Sequence, residues 1–152
     1  MRRSEREIKD LGDIEGIIRK ALVCRLGLAA DNRPYVVPLC FGYRDRTLYV
    51  HSALEGRKVQ MVRRNPHVCV EFDVDQEVLP GREACSWGMR YRSAIAFGTA
   101  SVVEDPAEKR RALDLIMEHY GGPPSGYLEG KVEKILVIKI EMEQMTGKQA
   151  NY

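Results

Sequence analysis

Residues 23–53 read VCRLGLAADNRPYVVPLCFGYRDRTLYVHSA, three apolar-rich runs held apart by two very short turn signals. The runs are rich in β-branched and aromatic residues, which predicts strands at 23–30, 35–44 and 47–53. Val23, Leu26 and Leu28 are among the apolar residues of the first. The connectors DNRP and RDR carry turn chemistry and are far too short for a crossover helix, so neighbouring strands must run antiparallel. Pro38 has no N–H to give to a ladder, so its strand is expected at a sheet edge or a bulge. This constraint excludes most folds before composition is considered.

The rest of the chain extends the pattern. HVCVEFDVD (67–75) alternates as a half-buried strand, 91–104 reads as a long strand, and 132–145 as a last one. A first helix fits 13–21, with Asp13 as N-cap and Ile14, Ile17 and Ile18 on one side. A second fits 57–65, with Val59 and Val62 inward and Asn65-Pro66 as its stop. A third starts at Asp105 (cap) and Pro106 (first position) and runs to about Tyr120, with Leu113, Ile116 and Met117 as its apolar face. GGPPSG breaks the chain after it, and 76–90 reads as one long loop. Six strands with short flanking helices and no doubly wound crossovers predict a mainly β chain, a six-stranded antiparallel barrel that closes rather than an open sheet. The 152 residues are expected to form one domain over 1–152.

Composition bounds the function. With 44% hydrophobic and 30% charged residues, the chain reads as globular rather than disordered. A net charge of +2 is too small for general nucleic-acid binding, and RKVQMVRR (57–64) lacks the aromatic interleaving of a single-strand binder. No run approaches the roughly 20 apolar residues that span a bilayer. MRRSEREIKD has no apolar stretch of signal-peptide kind, so a cytoplasmic location and no membrane partner are expected. Cys24, Cys40, Cys69 and Cys85 form no CxxC pair and are expected as reduced thiols. His67 and Cys69 share a strand face, but no second ligand pair stands at a metal-binding spacing, so no metal is assigned. GxGxxG is absent, so Rossmann-type nucleotide binding is not indicated.

The junction YVHSALEGRK (49–58) carries the chemistry. A helix N-terminus presents unpaired N–H groups and a partial positive charge, which suit a phosphate. Gly56 permits close backbone approach, Ser52 offers a hydroxyl, and Arg57 and Lys58 add a two-pronged and a mobile cation. Residues 57–64 hold four cations and no acid. Two readings stand on these residues alone: a phosphate cradle, or a solvated basic helix with His51 an ordinary strand residue.

Four segments in order, PYVVPLCFGY, LYVHSALEGRKVQMVRRNPHVCVEFD, YRSAIAFGTASVVEDPAEKRRAL and MTGKQ, resemble the FMN-binding split-barrel proteins related to pyridoxamine 5'-phosphate oxidase, in their nitroimidazole-resistance (Nim-like) branch. The resemblance spans about residues 3–149. It implies a split β-barrel that binds FMN at a homodimer interface. Pro38, Leu39 and Cys40 would then run past the flavin ring, and His51, Ser52, Ala53, Gly56, Arg57 and Lys58 would hold the phosphate. Tyr91, Arg92 and Ser93 would face FMN across the dimer. Lys148 would reach the cofactor from the chain end, the alternative being a plain surface lysine. Trp87, alone in a polar loop, is either core filler or a lid over the flavin. The implied activity is an FMN-dependent oxidoreductase that reduces a small oxidised acceptor such as a nitro-aromatic compound, with the flavin carrying the electrons. The alternative is a flavin- or haem-binding carrier or sensor without turnover. The substrate-phosphate residues of pyridoxamine 5'-phosphate oxidase itself find no match.

Overall fold

A computed structural model describes residues 3–124, 126–127 and 130–152. Met1 and Arg2 of the N-terminal run and Ser125 of the GGPPSG breaker lie outside the described residues. The chain is mainly β, a split barrel of eight strands with three α-helices. In chain order these are β1 (Glu7–Ile8), α1 (Leu11–Lys20), β2 (Cys24–Ala30), β3 (Arg33–Leu39), β4 (Gly42–Arg44), β5 (Thr47–Ser52), α2 (Arg57–Arg64), β6 (His67–Leu79), β7 (Gly88–Val102), α3 (Pro106–His119) and β8 (Leu136–Ala150). Every pairing is antiparallel, in the order β3-β2-β6-β7-β8-β5-β4, with β1 added to β8.

The two short turns behave as their residues require. Asp31-Asn32 and Asp45-Arg46 all have positive φ, from 49° to 61°, the conformation of the tight turns that match strand twist. Arg46 is an unusual residue there. Its guanidinium donates to the Glu143 carbonyl at 2.8 Å, and its own carbonyl accepts from the Met142 N–H at 2.9 Å.

Six strands were expected and eight are present among the described residues. One difference is the two-residue β1. The other is that 35–44 is two strands, because the chain leaves the ladder at Cys40-Phe41. Pro38 has no donor and lies on β3, an edge strand as expected. Phe41 turns its ring fully into the core, where it meets Phe72 edge-on at 5.3 Å. The Phe41 N–H donates to the Tyr120 hydroxyl at 3.1 Å rather than to a strand. The sheet path is therefore open between β3 and β4, so the barrel is split rather than closed.

Other boundaries move for local reasons. The α1 cap is Asp10, whose carboxylate accepts from the Asp13 N–H at 3.0 Å, so Asp13 lies inside the helix. The expected loop 76–90 shrinks to 80–87. Asp75, at φ 60°, absorbs a bulge, and β6 and β7 continue as a two-stranded ribbon in which Glu77 and Arg90 pair at 2.7 Å and Val78 and Met89 are exposed. A short ribbon of this kind has no buried face, so it carries no inward alternation to read. Residues 132–134 form a 3-10 turn, and β8 instead runs on to Ala150. Asp105 caps α3 by accepting from the Glu108 N–H at 2.9 Å. Ala112, Leu113 and Ile116 form its buried face, whereas Met117 is exposed.

The core lies between the sheet and the helices. Ile14, Ile17 and Ile18 of α1 and Val59, Met61 and Val62 of α2 are buried against Leu26, Val70, Phe72, Val50, Ile138 and Ile140. At Gly98, beside a register shift, β7 lies so close to β8 that a β-carbon would overlap the Glu141 carbonyl oxygen. Gly98→Ala is expected to lower the unfolding free energy by about 1–3 kcal/mol through overpacking. Gly16→Ala, where a β-carbon meets nothing within 4 Å on an exposed helix face, should raise it by about 0.5–1 kcal/mol. Urea denaturation of the two variants measures both.

Candidate functional site

β5 ends at Ser52 and the chain turns through 53–56 into α2. Gly56 makes this turn with φ 136° and ψ 171°, a conformation that disfavours any residue with a β-carbon. No side chain caps α2 and its first turn holds no acid. The first intrahelical bond runs from the Gln60 N–H to the Gly56 carbonyl at 3.0 Å, which leaves the earlier N–H groups directed out of the helix end.

Lys58 turns back under this end. It is half-buried, and its ammonium donates to the His51 carbonyl at 3.4 Å. Among the described residues no carboxylate lies within ion-pair distance of it. Burial lowers its pKa below the usual lysine value, an effect opposed by the neighbouring Cys24 thiol. A desolvated cation with spare donors, beside uncapped N–H groups and a glycine turn, is an arrangement that an anion stabilises. Arg57 points the other way, its guanidinium 5.5 Å over the ring of Tyr35.

Next to Lys58 is the β3–β4 crossing. Cys24 pairs with Leu39 across β2 and β3 and is fully buried, so burial pushes its thiol up to about 12. Leu39 packs on the core, while Pro38 and Cys40 are exposed. Tyr120 secures the crossing. Its hydroxyl accepts from the Phe41 N–H and donates to the Leu22 carbonyl at 2.8 Å, and burial pushes the phenol up to about 12. Leu39, Cys40, His51, Ser52, Ala53, Gly56, Arg57 and Lys58 thus gather around one end of the barrel, with Pro38 on its outer face.

The remaining candidates sit elsewhere. On β8, Leu136 pairs with Ser52 and Lys148 with Ser93, so the two groups stand twelve residues, or about 40 Å of strand, apart. Tyr91 and Ser93 share an outer face with Arg25, Glu71 and Asp73, and the Lys148 ammonium is 6.0 Å from the Tyr91 ring. Arg25 bonds Asp73 closely and Glu71 at 3.1 Å. Burial, then the neighbouring Asp73, still raises the Glu71 pKa. Arg92 alternates to the opposite face, in a cavity of about 410 Å³ below α1, its guanidinium 4.1 Å over the Tyr152 ring. Trp87, 57% exposed, closes the 80–87 loop at the tip of the β6–β7 ribbon, so in this chain it is not core filler.

Sequence reading missed Arg33, Tyr35 and Arg64, which line a cavity with Arg57. The signal was there: 57, 60, 61 and 64 have the spacing of one helix face, distinct from the face of Val59 and Val62. It also missed Tyr120, whose role depends on a crossing that no local pattern announces.

A split antiparallel barrel with an anion-receptive helix end at its mouth defines a class of protein. Residues 10–149 match the family model described as pyridoxamine 5'-phosphate oxidase, and the chain belongs to that family. It is 41% identical to a candidate 5-nitroimidazole antibiotic resistance protein from Bacteroides thetaiotaomicron, over 94% of this chain and 86% of that one, with a TM-score of 0.84. It is 26% identical to an FAD-binding protein from Mesorhizobium loti, over 96% and 98% of the two chains, with a TM-score of 0.72. A flavocytochrome from Azotobacter vinelandii shares the fold at 16% identity, over 100% of this chain and 72% of that one, with a TM-score of 0.85. A curated relative, an uncharacterised protein of Rhizobium meliloti, matches over 60 residues at 29% identity, 40% of this chain and 39% of the relative. Among the described residues no helix is long and apolar enough to cross a membrane.

Because Tyr120 and Cys24 hold their protons more tightly when folded, they contribute stability below their ordinary values of 10.0 and 9.0. That contribution is lost as pH rises toward 12. The urea midpoint is therefore expected to fall between pH 9 and 12. Tyr120→Phe should flatten that fall while costing about 1–3 kcal/mol at neutral pH, because the Phe41 N–H loses its acceptor.

Proposed function

We propose that this chain is a flavin-binding oxidoreductase, with the flavin phosphate on the N-terminus of α2 and electrons passing to a small oxidised acceptor of nitro-aromatic type. The observation that carries this reading is Lys58, a half-buried cation with no carboxylate partner among the described residues, beside an uncapped, acid-free helix start. The donor set fits a phosphate monoester: backbone N–H groups at Gly56–Lys58, the Ser52 hydroxyl, and one mobile ammonium. The FMN unit is the part of the cofactor this cradle recognises. The 41% identical candidate nitroimidazole-resistance protein supports the acceptor class, and the 26% identical FAD-binding protein supports the flavin.

When bound, the flavin supplies the electron or hydride transfer. This chain's residues hold and shield it. Pro38, Leu39 and Cys40 offer a rigid, largely apolar strand edge for a flat ring. Lys58 fixes the phosphate, and His51 orients Lys58 through its carbonyl, while Arg57 is turned away onto the Tyr35 ring. In this reading a single split-barrel domain, cytoplasmic and homodimeric, does the work. A carrier or sensor would share the cradle but hold its reduced flavin when a nitro-aromatic acceptor is added.

The outer face of the sheet supports the homodimer in this reading. Val36, Gly27, Cys69, Phe97 and Gln144 are successive cross-strand neighbours, with Ile95 one row away. Val36 is 63% and Phe97 51% exposed, an apolar strip across a folded sheet. A second copy on this strip would bring Tyr91, Ser93 and Lys148, distant from the cradle in their own chain, to the partner's flavin. Light scattering is expected to give a dimer, and Phe97→Glu a monomer that loses flavin. A monomeric wild-type protein at micromolar concentration that retains FMN would refute the shared site.

Lys58→Ala should weaken FMN by about ten- to hundredfold, the loss of a charge-assisted bond of roughly 1.5–3 kcal/mol, and riboflavin far less. Arg63→Ala, beyond the first turn, should leave both nearly unchanged. Fluorescence titration of apo-protein at fixed salt separates a built cradle from a generally basic surface, on which both substitutions would act alike.

A further inference from the structure

Leu54, in the turn between β5 and α2, forms one wall of a cavity of about 440 Å³ that none of the cradle residues lines. Its other walls are the end of α2, the end of β7, the first turns of α3 and the start of β8. The volume is within the roughly 300–1,000 Å³ typical of small-molecule sites.

The lining is apolar where it is deepest and charged where it is exposed. Val103, Val132 and Leu136 are buried and Val102 and Ile135 half-buried, while Leu54 stands 49% exposed beside them. Three cations stand around this apolar set, Arg63 from α2 and Lys109 and Arg110 from α3. Glu104 and Glu133 are its two acids, which leaves one positive charge in excess. Among the described residues none of these five groups has an ion-pair partner, whereas the neighbouring acids Asp105 and Glu108 are paired with Arg111 and Lys139. The two acids oppose a multiply charged anion such as a phosphate, and the three cations oppose a cationic ligand. One carboxylate on an apolar body meets both the excess charge and the hydrocarbon walls. No aromatic ring of the described residues lines the cavity, so its branched aliphatic walls suit a flexible chain rather than a stacked ring.

We propose that this cavity is a second ligand site, separate from the cradle, for a medium-chain acyl carboxylate. The hydrocarbon chain lies along Val102, Ile135 and Leu136 and covers Leu54, and the carboxylate is taken at the rim by Arg63, with Lys109 beside it. Arg63 offers a planar fork that matches a carboxylate, and its distance from the start of α2 keeps it out of the cradle. The site does not depend on the flavin reading, because it shares no side chain with the phosphate cradle.

The experiment is a titration of the full chain with octanoate, octanol and acetate, followed by methyl NMR on the wild type and on Arg63→Gln, Arg63→Lys and Lys58→Ala. Octanoate is expected to saturate one site and to shift the methyl signals of Leu54, Val102 and Ile135. Octanol, which has the chain without the charge, should bind there about tenfold or more weakly, the margin of a charge-assisted contact. Acetate, which has the charge without the chain, should leave those signals in place. Arg63→Gln, an exposed change, should weaken octanoate about tenfold and leave octanol unchanged, and Arg63→Lys should retain most of the octanoate affinity. Lys58→Ala, which strips the cradle, should leave octanoate within about twofold of wild type. Octanoate that does not saturate, that binds no better than octanol, or that loses no affinity in Arg63→Gln overturns the proposal. So does an equal loss of octanoate and octanol in that variant. Octanoate shifts centred on residues 51–58 and lost in Lys58→Ala place the anion in the cradle and overturn the second site.

Discussion

The architecture turns on Phe41. Its ring is fully buried, edge-on to Phe72 at 5.3 Å and 4.3 Å from His119, and its N–H is taken by the Tyr120 hydroxyl. A chain that continued as a strand through this point would give β3 and β4 one common ladder. Instead the residue anchors a crossing from one edge of the sheet to the other, and both edges stay unpaired with each other. The buried N–H must find an acceptor, and α3 supplies it from the far end of the sequence. The same crossing sets Leu39 and Cys40 beside Cys24 and Lys58, so the element that splits the barrel also builds the mouth of the candidate site.

Charge is used in two ways in this molecule. Most ion pairs, such as Arg44–Glu118 and Arg19–Glu15, are exposed and together contribute little to stability. Lys58 is the opposite case. It is half-buried at the start of a helix and lacks a carboxylate among the described residues, and burial disfavours its charged form. Folding tolerates this because α2 is held from its other side by Val59, Met61 and Val62. A stabilised apo-protein would place an acid or a neutral side chain here. An unpaired cation instead leaves the interaction open for a ligand.

The strands carry a second division of labour. Alternation puts Leu26, Val70, Ala96 and Phe72 inward, and Arg25, Cys69, Glu71 and Phe97 outward. The inner set is a finished core. The outer set mixes the Arg25–Asp73–Glu71 cluster with the exposed Val36, Ile95 and Phe97, an apolar strip beside paired charges.

Local pattern alone determined most of the strands, their antiparallel sense and the position of α2, because tight turns and side-chain periodicity are encoded within a few residues. It also determined the cradle's ingredients, since Gly56, Arg57 and Lys58 are contiguous and their chemistry depends on the helix start they share. Where partners are distant in the chain, the tertiary structure decided. Asp10 rather than Asp13 caps α1, a choice between two adequate acids. The β6–β7 ribbon extends where Glu77 meets Arg90 across the turn, and α2's cations divide because Lys58 reaches back to the His51 carbonyl while Arg57 falls over Tyr35. Nothing within the sequence of α2 distinguishes a cation over the barrel mouth from one over a surface groove. That distinction comes from where the strands beneath the helix place the His51 carbonyl and the Tyr35 ring.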